Sequence, residues 1–428
     1  MKADIIPVEA PALEELRERS MDRLARRLLF GKLKSLRRGC LKFVDRERSV
    51  TFGQSSAAFP LQATIRVRHS RFYAYTVLGG SIGAAEAYMD GLWSTDDLTT
   101  VVRILVLNQA VFEEMEKGWA WLSLPLYQAY HFLRRNTLVG SRDNIVAHYD
   151  LGNDFYKLFL DETLTYSCGI FEQEDSSLKD AALAKYRRIC QKLQLSSDDH
   201  VVEIGTGWGG FALYAVQNYG CRVTTTTISK EQYRLAAERF QSAGLTDKIT
   251  LLFKDYRKLS GRFDKLVSIE MIEAVGHQFL DAFFNACSRL LREDGMMLLQ
   301  AITIRDQVFD QHKRSVDFIK RYIFPGSCIP SITAMSEAIA GTTDLKLFHL
   351  EDITPHYTRT LRTWRERFFS NIEKVRAMNF PETFIRMWEY YLCYCEGGFA
   401  ERYIGDVQML LTKPLCRRVP LLPPLEGG

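Results

Sequence analysis

Strand-like and helix-like hydrophobic patterns alternate from about residue 200 to residue 304, and such alternation predicts a parallel sheet covered by helices. Apolar runs at Val201 to Ile204, Arg222 to Thr227, Ile249 to Phe253, Lys265 to Ile269 and Met296 to Ile304 read as its strands. Helical spacing occupies 209–218, 230–243 and 279–292 between them. After Ile304 the pattern breaks into RDQVFDQHKRSVDFIKRYIFPGSCIPSITAM, an aromatic, basic stretch read as a helical insertion of the kind that forms a lid, ending at Pro325-Gly326 and Pro330. Helical patterns near 358–378 and 382–397 follow, then a last strand at Tyr403 to Leu411 and a proline-rich tail of disorder-prone composition. Upstream, Leu41 to Val44, Ala63 to Val67 and Phe72 to Leu78 read as short strands, and SIGAAEAYMDGLW and DLTTVVRILVLNQAV as helices, which together describe a small α+β domain. The polar stretch RRNTLVGSRDNIVAHYD links the two regions, and there is no internal repeat.

The 428 residues, 46% hydrophobic and 25% charged, suit a folded chain of two or three domains. No apolar run approaches the roughly 20 residues that span a bilayer, and MKADIIPVEAPALEEL lacks the apolar region of a signal peptide, so a cytosolic location is expected. Nine scattered cysteines without a C-x-x-C pair suggest neither a disulfide framework nor a zinc site, and no metal is expected. A net charge of +4 is too mild to imply nucleic acid. Its distribution is uneven. Between Arg17 and Lys42 the bases far outnumber the acids, and Met21, Leu24, Leu28 and Leu36 fall near helical spacing around Gly31. This basic amphipathic helix reads either as a solvated helix packed on its own domain or as a surface drawn to anionic lipid headgroups.

The first strand of the sheet runs into VVEIGTGWGG, residues 201–210, a literal G-x-G-x-x-G. Glycines between a strand and a helix let backbone N–H groups and the helix N-terminus approach a ligand. A dinucleotide site needs an acid at the end of the next strand for the ribose hydroxyls, and VTTTTIS offers none. Glu203 ahead of Gly205 and Gly207 instead gives the E-x-G-x-G arrangement of S-adenosylmethionine (SAM) sites, where a carboxylate faces the cationic methionine end. A purely structural turn that permits close helix–strand packing is the remaining alternative.

HYDLGNDFYKLFLDETLTYSCGIF (148–171) resembles the segment ahead of the SAM loop in cyclopropane-fatty-acid synthases. TTTISKEQ (225–232), SIEMIEAVG (268–276), HYTRTLRTW (356–364) and YYLCYCEGGFAERYIGDVQ (390–408) resemble that family in the same order, and GGSIGAAEAYMDGLWSTDDL (79–98) resembles the N-terminal domain of its bacterial members. The resemblance implies an α/β fold: a Rossmann-like class I SAM-dependent methyltransferase domain with a mostly helical acyl-binding insertion, preceded by a small α+β N-terminal domain. The implied boundaries are 1–125 for the N-terminal domain, 126–415 for the catalytic domain with its insertion near 305–345, and 416–428 for a disordered tail.

For the site, the resemblance implies that Tyr166 and Ser167 cover the methionine end of SAM and that Gly205, Gly207, Trp208 and Gly209 cradle its backbone. Thr227, Ile228, Ser229 and Gln232 would hold the cofactor after the second strand, and Asp255 with Tyr256 the adenine. Core aromatics are the plainer reading of Tyr166 and Trp208. The implied reaction is methyl or methylene transfer from SAM to the double bond of an unsaturated phospholipid acyl chain. An unactivated alkene must be held in line with the methyl donor in a dry apolar channel, and the resulting carbocation must lose a proton for the ring to close. The family uses a bound bicarbonate ion as that base, and its ligands would be Cys168 and Ile302 through their backbones, Glu273, Gln300 and Tyr357. Gln300, in LLQAITI, departs from the family's histidine. An amide donates a hydrogen bond but carries no proton or charge, which leaves a cyclopropane, a methyl-branched or an exomethylene product open. Two residues have other readings: Glu273 as a helix cap and the Cys168 thiol as a nucleophile. A peripheral enzyme on the inner membrane leaflet is implied, and two basic patches in a homodimer would lengthen its membrane residence.

Three readings compete. GGSIG at 79–83 fits the G-x-S-x-G nucleophile elbow of a lipid hydrolase, although too few strands precede it. The basic helix and the altered histidine position also fit a non-catalytic lipid-binding protein. A methyltransferase acting on nucleic acid or a small molecule suits the mild charge less well.

Overall fold

The computed structural model describes residues 20–46, 48–109 and 151–421. Arg17 to Arg19, the end of the helical run at 110–111, the linker 134–150 and the last residues of the tail lie outside them. The described residues form two compact units, one drawn from 1–133, 315–323 and 361–403, the other from 134–314, 324–360 and 404–428.

In the first unit, strands β1 (Gly39–Asp45), β2 (Arg48–Gln54), β3 (Gln62–Val67) and β4 (Trp93–Thr95) form a sheet of order β2-β1-β3-β4. The basic helix spans Ser20–Leu33 and buries Asp22, Ala25, Leu29 and Leu33, one face at helical spacing. Met21, Leu24 and Leu28 form a second apolar stripe that is exposed. Phe72 to Leu78 is not a strand but part of the helix Arg71–Met89, because Phe72, Tyr73 and Val77 are buried together on one helical face despite their β-rich composition. GGSIG lies inside that helix, at a kink where Gly80 has φ 57, so no strand-to-helix elbow presents Ser81 and the hydrolase reading falls. The helices Leu98–Leu107 and Glu382–Ala400 complete this unit, with Arg386 donating to the carbonyls of Tyr88 (2.5 Å) and Trp93 (3.0 Å).

In the second unit, β5 (His200–Ile204), β6 (Arg222–Thr227), β7 (Ile249–Phe253), β8 (Phe263–Ile269), β9 (Leu291–Ile304), β10 (Lys346–Asp352) and β11 (Ile404–Thr412) form a sheet of order β10-β11-β9-β8-β5-β6-β7. The five strands from β5 to β9 run parallel, while β11 is antiparallel to β9 and β10 to β11. Both faces are covered, as alternate side chains require: Val202, Leu266 and Met297 pack on Phe283 and Phe284, whereas Val201, Val267 and Leu298 pack on Ile189 and Phe211. This is the Rossmann-like methyltransferase fold. The stretch after Ile304 holds the helices Asp306–His312 and Ile332–Thr342 with a single π turn, Ile319–Ile323, between them. Cys416 and Leu421, at the start of the expected tail, pack against the core. Among the described residues no helix is long and apolar enough to cross a membrane.

Candidate active site

The glycine loop leaves the carboxyl end of β5, where open α/β sheets receive their ligands, and enters the helix Gly210–Tyr219. The N–H groups of Gly205 and Thr206 donate to the Thr226 carbonyl at 3.1 and 3.0 Å, tying the loop to β6. Its glycines do two different jobs. At Gly209, φ 84, a Cβ would lie 2.5 Å from the Phe240 ring, so glycine there permits packing of the helix Lys230–Ser242. At Gly207, φ 53, a Cβ would meet nothing within 4 Å, so this side of the loop is an open cradle of the kind a bound nucleoside fills.

Around the loop, the Trp208 indole donates to Asn153 Oδ1 (2.7 Å) and packs on Tyr156, which packs on Tyr166, with ring centroids 5.0 and 5.4 Å apart. Glu203 is buried, its Oε2 accepting from Thr225 Oγ1 at 2.6 Å, and burial pushes its carboxyl up to about 8, the Thr225 bond opposing only in part. After β6, Ser229 caps the helix Lys230–Ser242 by accepting from the Gln232 N–H (3.3 Å), while Thr227 Oγ1 meets Gln232 Oε1 (2.9 Å) and accepts from the Ser229 N–H (3.1 Å). Ile228 is half-buried between them. Asp255, after β7, pairs with Arg257 at 2.5 Å, and the Tyr256 ring packs on Phe283 (5.6 Å). The expected residues of the glycine loop, of 227–232 and of 255–256 stand at the ends of β5, β6 and β7, and Tyr166 reaches Trp208 through Tyr156, whereas Ser167 bonds to Lys185.

A second cluster stands at the end of β8, against the interior of β9 at Gln300. Its centre is Glu270, which follows β8 with φ 49, a left-handed conformation uncommon for a residue with a Cβ. Its Oε1 accepts from the Cys168 N–H (2.8 Å) and from Gln300 Nε2 (2.8 Å), and its Oε2 from the Tyr357 hydroxyl (2.5 Å). Gln300 Nε2 also donates to Asp406 Oδ2 at 3.1 Å. Glu273, from the same strand end, accepts from the Ile302 N–H at 2.5 Å, and its other oxygen is buried without a protein partner. Burial, and then the neighbouring Glu270 charge, push the Glu273 carboxyl up to about 8. Burial, with Glu270 and Glu273 adding to it, pushes Asp406 well above the carboxylate range. The Cys168 thiol is fully buried and pushed well up by burial and then by Asp406 and Glu270, so it is no nucleophile.

The orientation of Gln300 follows from a chain of amides. The Lys192 ammonium, paired with Glu351 at 2.6 Å, can only donate, and it donates to Gln408 Oε1 at 2.8 Å. The Gln408 amide nitrogen then faces Gln300 Oε1 (3.1 Å), which leaves the Gln300 nitrogen to face the two carboxyl groups. Gln300 thus serves as a fixed neutral donor.

The structure brings together all five expected ligands of bicarbonate, but not around an open anion site. The Glu270 carboxylate already receives the Cys168, Gln300 and Tyr357 donors, and Glu273 already receives the Ile302 N–H. A bicarbonate ion does not fit among these residues with Glu270 in place. Sequence reasoning took Glu273 from SIEMIEAVG and passed over Glu270, and it also missed Asp406 and Lys185. Lys185 is fully buried beneath the cluster and donates to Ser167 Oγ at 2.5 Å, its pKa lowered by burial against the pull of Glu270, Cys168 and Asp406. The second acid of SIEMIEAVG was a legible signal for Glu270; Lys185 reads as an ordinary helical lysine.

The family model for mycolic acid cyclopropane synthetase matches residues 137–409. Tuberculostearic acid methyltransferase UfaA1 of Mycobacterium tuberculosis is 37% identical over 345 residues, 78% of this chain and 79% of that protein. Cyclopropane-fatty-acyl-phospholipid synthase of Escherichia coli is 35% identical over 360 residues, 82% and 88% of the two chains. Among solved structures, mycolic acid cyclopropane synthase CmaA1 complexed with SAH and CTAB superposes with a TM-score of 0.60 at 32% identity, covering 64% of this chain and 98% of that one. With the open glycine cradle at β5, these matches mean that the chain belongs to the mycolic acid cyclopropane synthetase family and is a SAM-dependent C-methyltransferase.

Proposed function

We propose that this enzyme transfers a methyl group from SAM to the double bond of an unsaturated phospholipid acyl chain and closes it to a cyclopropane ring. One observation carries the reading: the open glycine cradle on β5 and a carboxyl cluster on β8 stand at neighbouring ends of paired parallel strands. A methyl donor and a proton acceptor are the two things the reaction needs, and the E. coli relative is itself a cyclopropane-fatty-acyl-phospholipid synthase.

Gly205, Gly207, Trp208 and Gly209 would hold the cofactor's backbone, and Tyr166, Ser167 and Glu203 its methionine end. Thr227, Ile228, Ser229 and Gln232 would hold the ribose side, and Asp255 and Tyr256 the adenine. Bound SAM would supply an electrophilic methyl group to the alkene. Glu203 would answer the cofactor's ammonium, which draws the buried carboxyl into its ionised form. The faces of nearby tyrosines, Tyr166 first, would stabilise the carbocation left on the acyl chain. A methylene-branched product is a second reading, favoured by Gln300: a neutral amide carries no proton to or from the cation, so the base alone chooses which C–H is broken.

The exposed Met21, Leu24 and Leu28 stripe, with Arg23 and Arg27 on the same helix, fits contact with an anionic bilayer at the cytoplasmic leaflet, and a homodimer would double that surface. The test incubates the full chain with methyl-labelled SAM and vesicles of monounsaturated phosphatidylglycerol, then analyses the acyl esters by mass spectrometry before and after mild hydrogenation. Label in an ester that resists hydrogenation supports the ring, and label in one that takes up hydrogen supports the branched reading. No label in lipid while SAM binds would overturn both. Replacing Met21, Leu24 and Leu28 by serine is expected to weaken vesicle co-sedimentation, and unaltered sedimentation would remove the membrane contact.

A further inference from the structure

The geometry points to Glu270 as the general base of the reaction, a carboxylate built into the chain at the position where relatives would hold a free anion. The inference rests on the methylation proposed above.

Three features support it. The first is convergence: a backbone N–H, an amide and a phenol all donate to Glu270, which makes it the one carboxyl of the cluster with donors enough to stabilise a negative charge. Glu273 receives backbone N–H groups only, among them that of Ile302, and the Asp406 carboxyl shares the Gln300 amide while the Asp406 N–H donates to Thr354 Oγ1 at 3.0 Å. The second is access. Two donors meet Oε1 and one meets Oε2, the Asp406 carboxyl, driven toward its neutral form, is hydrogen-bonded to the same group, and Glu270 is only partly buried whereas Gln300 and Asp406 are fully buried. The third is backbone. The left-handed φ of 49 stands at the end of β8, and the Glu270 N–H is fixed on the Gln300 carbonyl at 2.8 Å. A residue with a Cβ held in that region carries a cost of order 1 kcal/mol, which glycine would relieve.

In the step itself, a C–H bond of the methylated cation breaks, its electron pair closes the ring or forms the new double bond, and the proton goes to Glu270 Oε2. Release of product then lets the protonated carboxyl return that proton to water. No ion from solution takes part.

The experiment uses the full chain, wild type, Glu270→Gln and Glu270→Gly, in buffers stripped of carbon dioxide and then supplemented with bicarbonate. Turnover on monounsaturated phosphatidylglycerol vesicles is followed beside SAM affinity by calorimetry and bicarbonate binding by 13C NMR. Wild-type turnover is expected to be indifferent to bicarbonate. Glu270→Gln is expected to lose about 100-fold or more in kcat, the range general-base catalysis supplies, while SAM affinity changes less than about 3-fold. Glu270→Gly, which frees the three donors and suits the left-handed backbone, is expected to bind bicarbonate and to regain about 10-fold or more of its activity when the ion is added. Wild-type activity that requires bicarbonate, or a glutamine variant within a few-fold of wild type, overturns the inference. If no variant methylates lipid, the methylation proposal fails separately, and the NMR still decides the site: bicarbonate bound by the glycine variant alone supports occupancy by Glu270, and bicarbonate bound by the wild type refutes it.

Discussion

Replacing Gln300 by leucine tests the amide chain that orients the active-site carboxyl groups. Gln300 is fully buried and makes three bonds at 2.8 to 3.1 Å, to Glu270, Asp406 and Gln408. Leucine nearly matches its volume and makes none of them. The bond to the Glu270 carboxylate is worth roughly 1.5–3 kcal/mol, and an orphaned Gln408 amide and Asp406 carboxyl cost about 1–3 kcal/mol each. Against this, the added apolar burial returns about 1–2 kcal/mol. The net expectation is a loss of roughly 3–5 kcal/mol, which in a unit of this size lowers the melting temperature by about 10 °C.

Scanning calorimetry of the ligand-free chain measures the shift, and a double-mutant cycle with Gln408→Leu isolates its origin. The two residues share one bond, so the double variant should cost less than the sum of the singles by about 1–3 kcal/mol. A fall of less than about 3 °C for Gln300→Leu, or strictly additive losses, would refute the chain of donors from Lys192 to Glu270.

Glu203, raised to about 8 by burial, binds a proton in the fold that the unfolded chain gives up, so its contribution is complete below the ordinary carboxyl range and is lost as pH rises to about 8. Glu203→Gln should therefore flatten the fall of stability between pH 5 and 8 by up to about 1.4 kcal/mol per pH unit, read from melting curves, and an unchanged slope would contradict the buried neutral carboxyl. Wild-type SAM binding at neutral pH should release a proton from this group, detectable by calorimetry in buffers of different ionisation heat. Gly209→Ala should destabilise the chain by roughly 2–4 kcal/mol, because its Cβ would lie 2.5 Å from Phe240 at φ 84. Gly207→Ala, with open space around its Cβ, should cost only about 1 kcal/mol of stability yet weaken SAM binding about 10-fold or more; an unaltered SAM affinity would mean that the loop is not the cradle.

The central strands were legible because burial on both faces gives them continuous apolar or β-branched runs: Arg222–Thr227 was read to the residue, with five of its six positions buried. Strands β2 and β10 were not, since RSVTFGQ buries only Phe52 and KLFHLED buries no residue fully, which leaves an edge strand without a hydrophobic signature. The cofactor loop was legible for a different reason: its chemistry lies in backbone geometry that a local glycine pattern encodes. The carboxyl cluster is not local. Glu270 meets Cys168 and Tyr357 across 102 and 87 positions of sequence, and Gln408 meets Gln300 across 108. The ambiguity at this cluster is more specific than distance. A backbone N–H, an amide and a phenol are the donors any carboxylate needs, so residues of these types at their motif positions cannot tell a free bicarbonate from a tethered side chain. The choice rests on the backbone at one position. A left-handed φ of 49 after β8 sets a carboxylate at the centre of the donors, and the proposed base is that tethered side chain rather than a free ion.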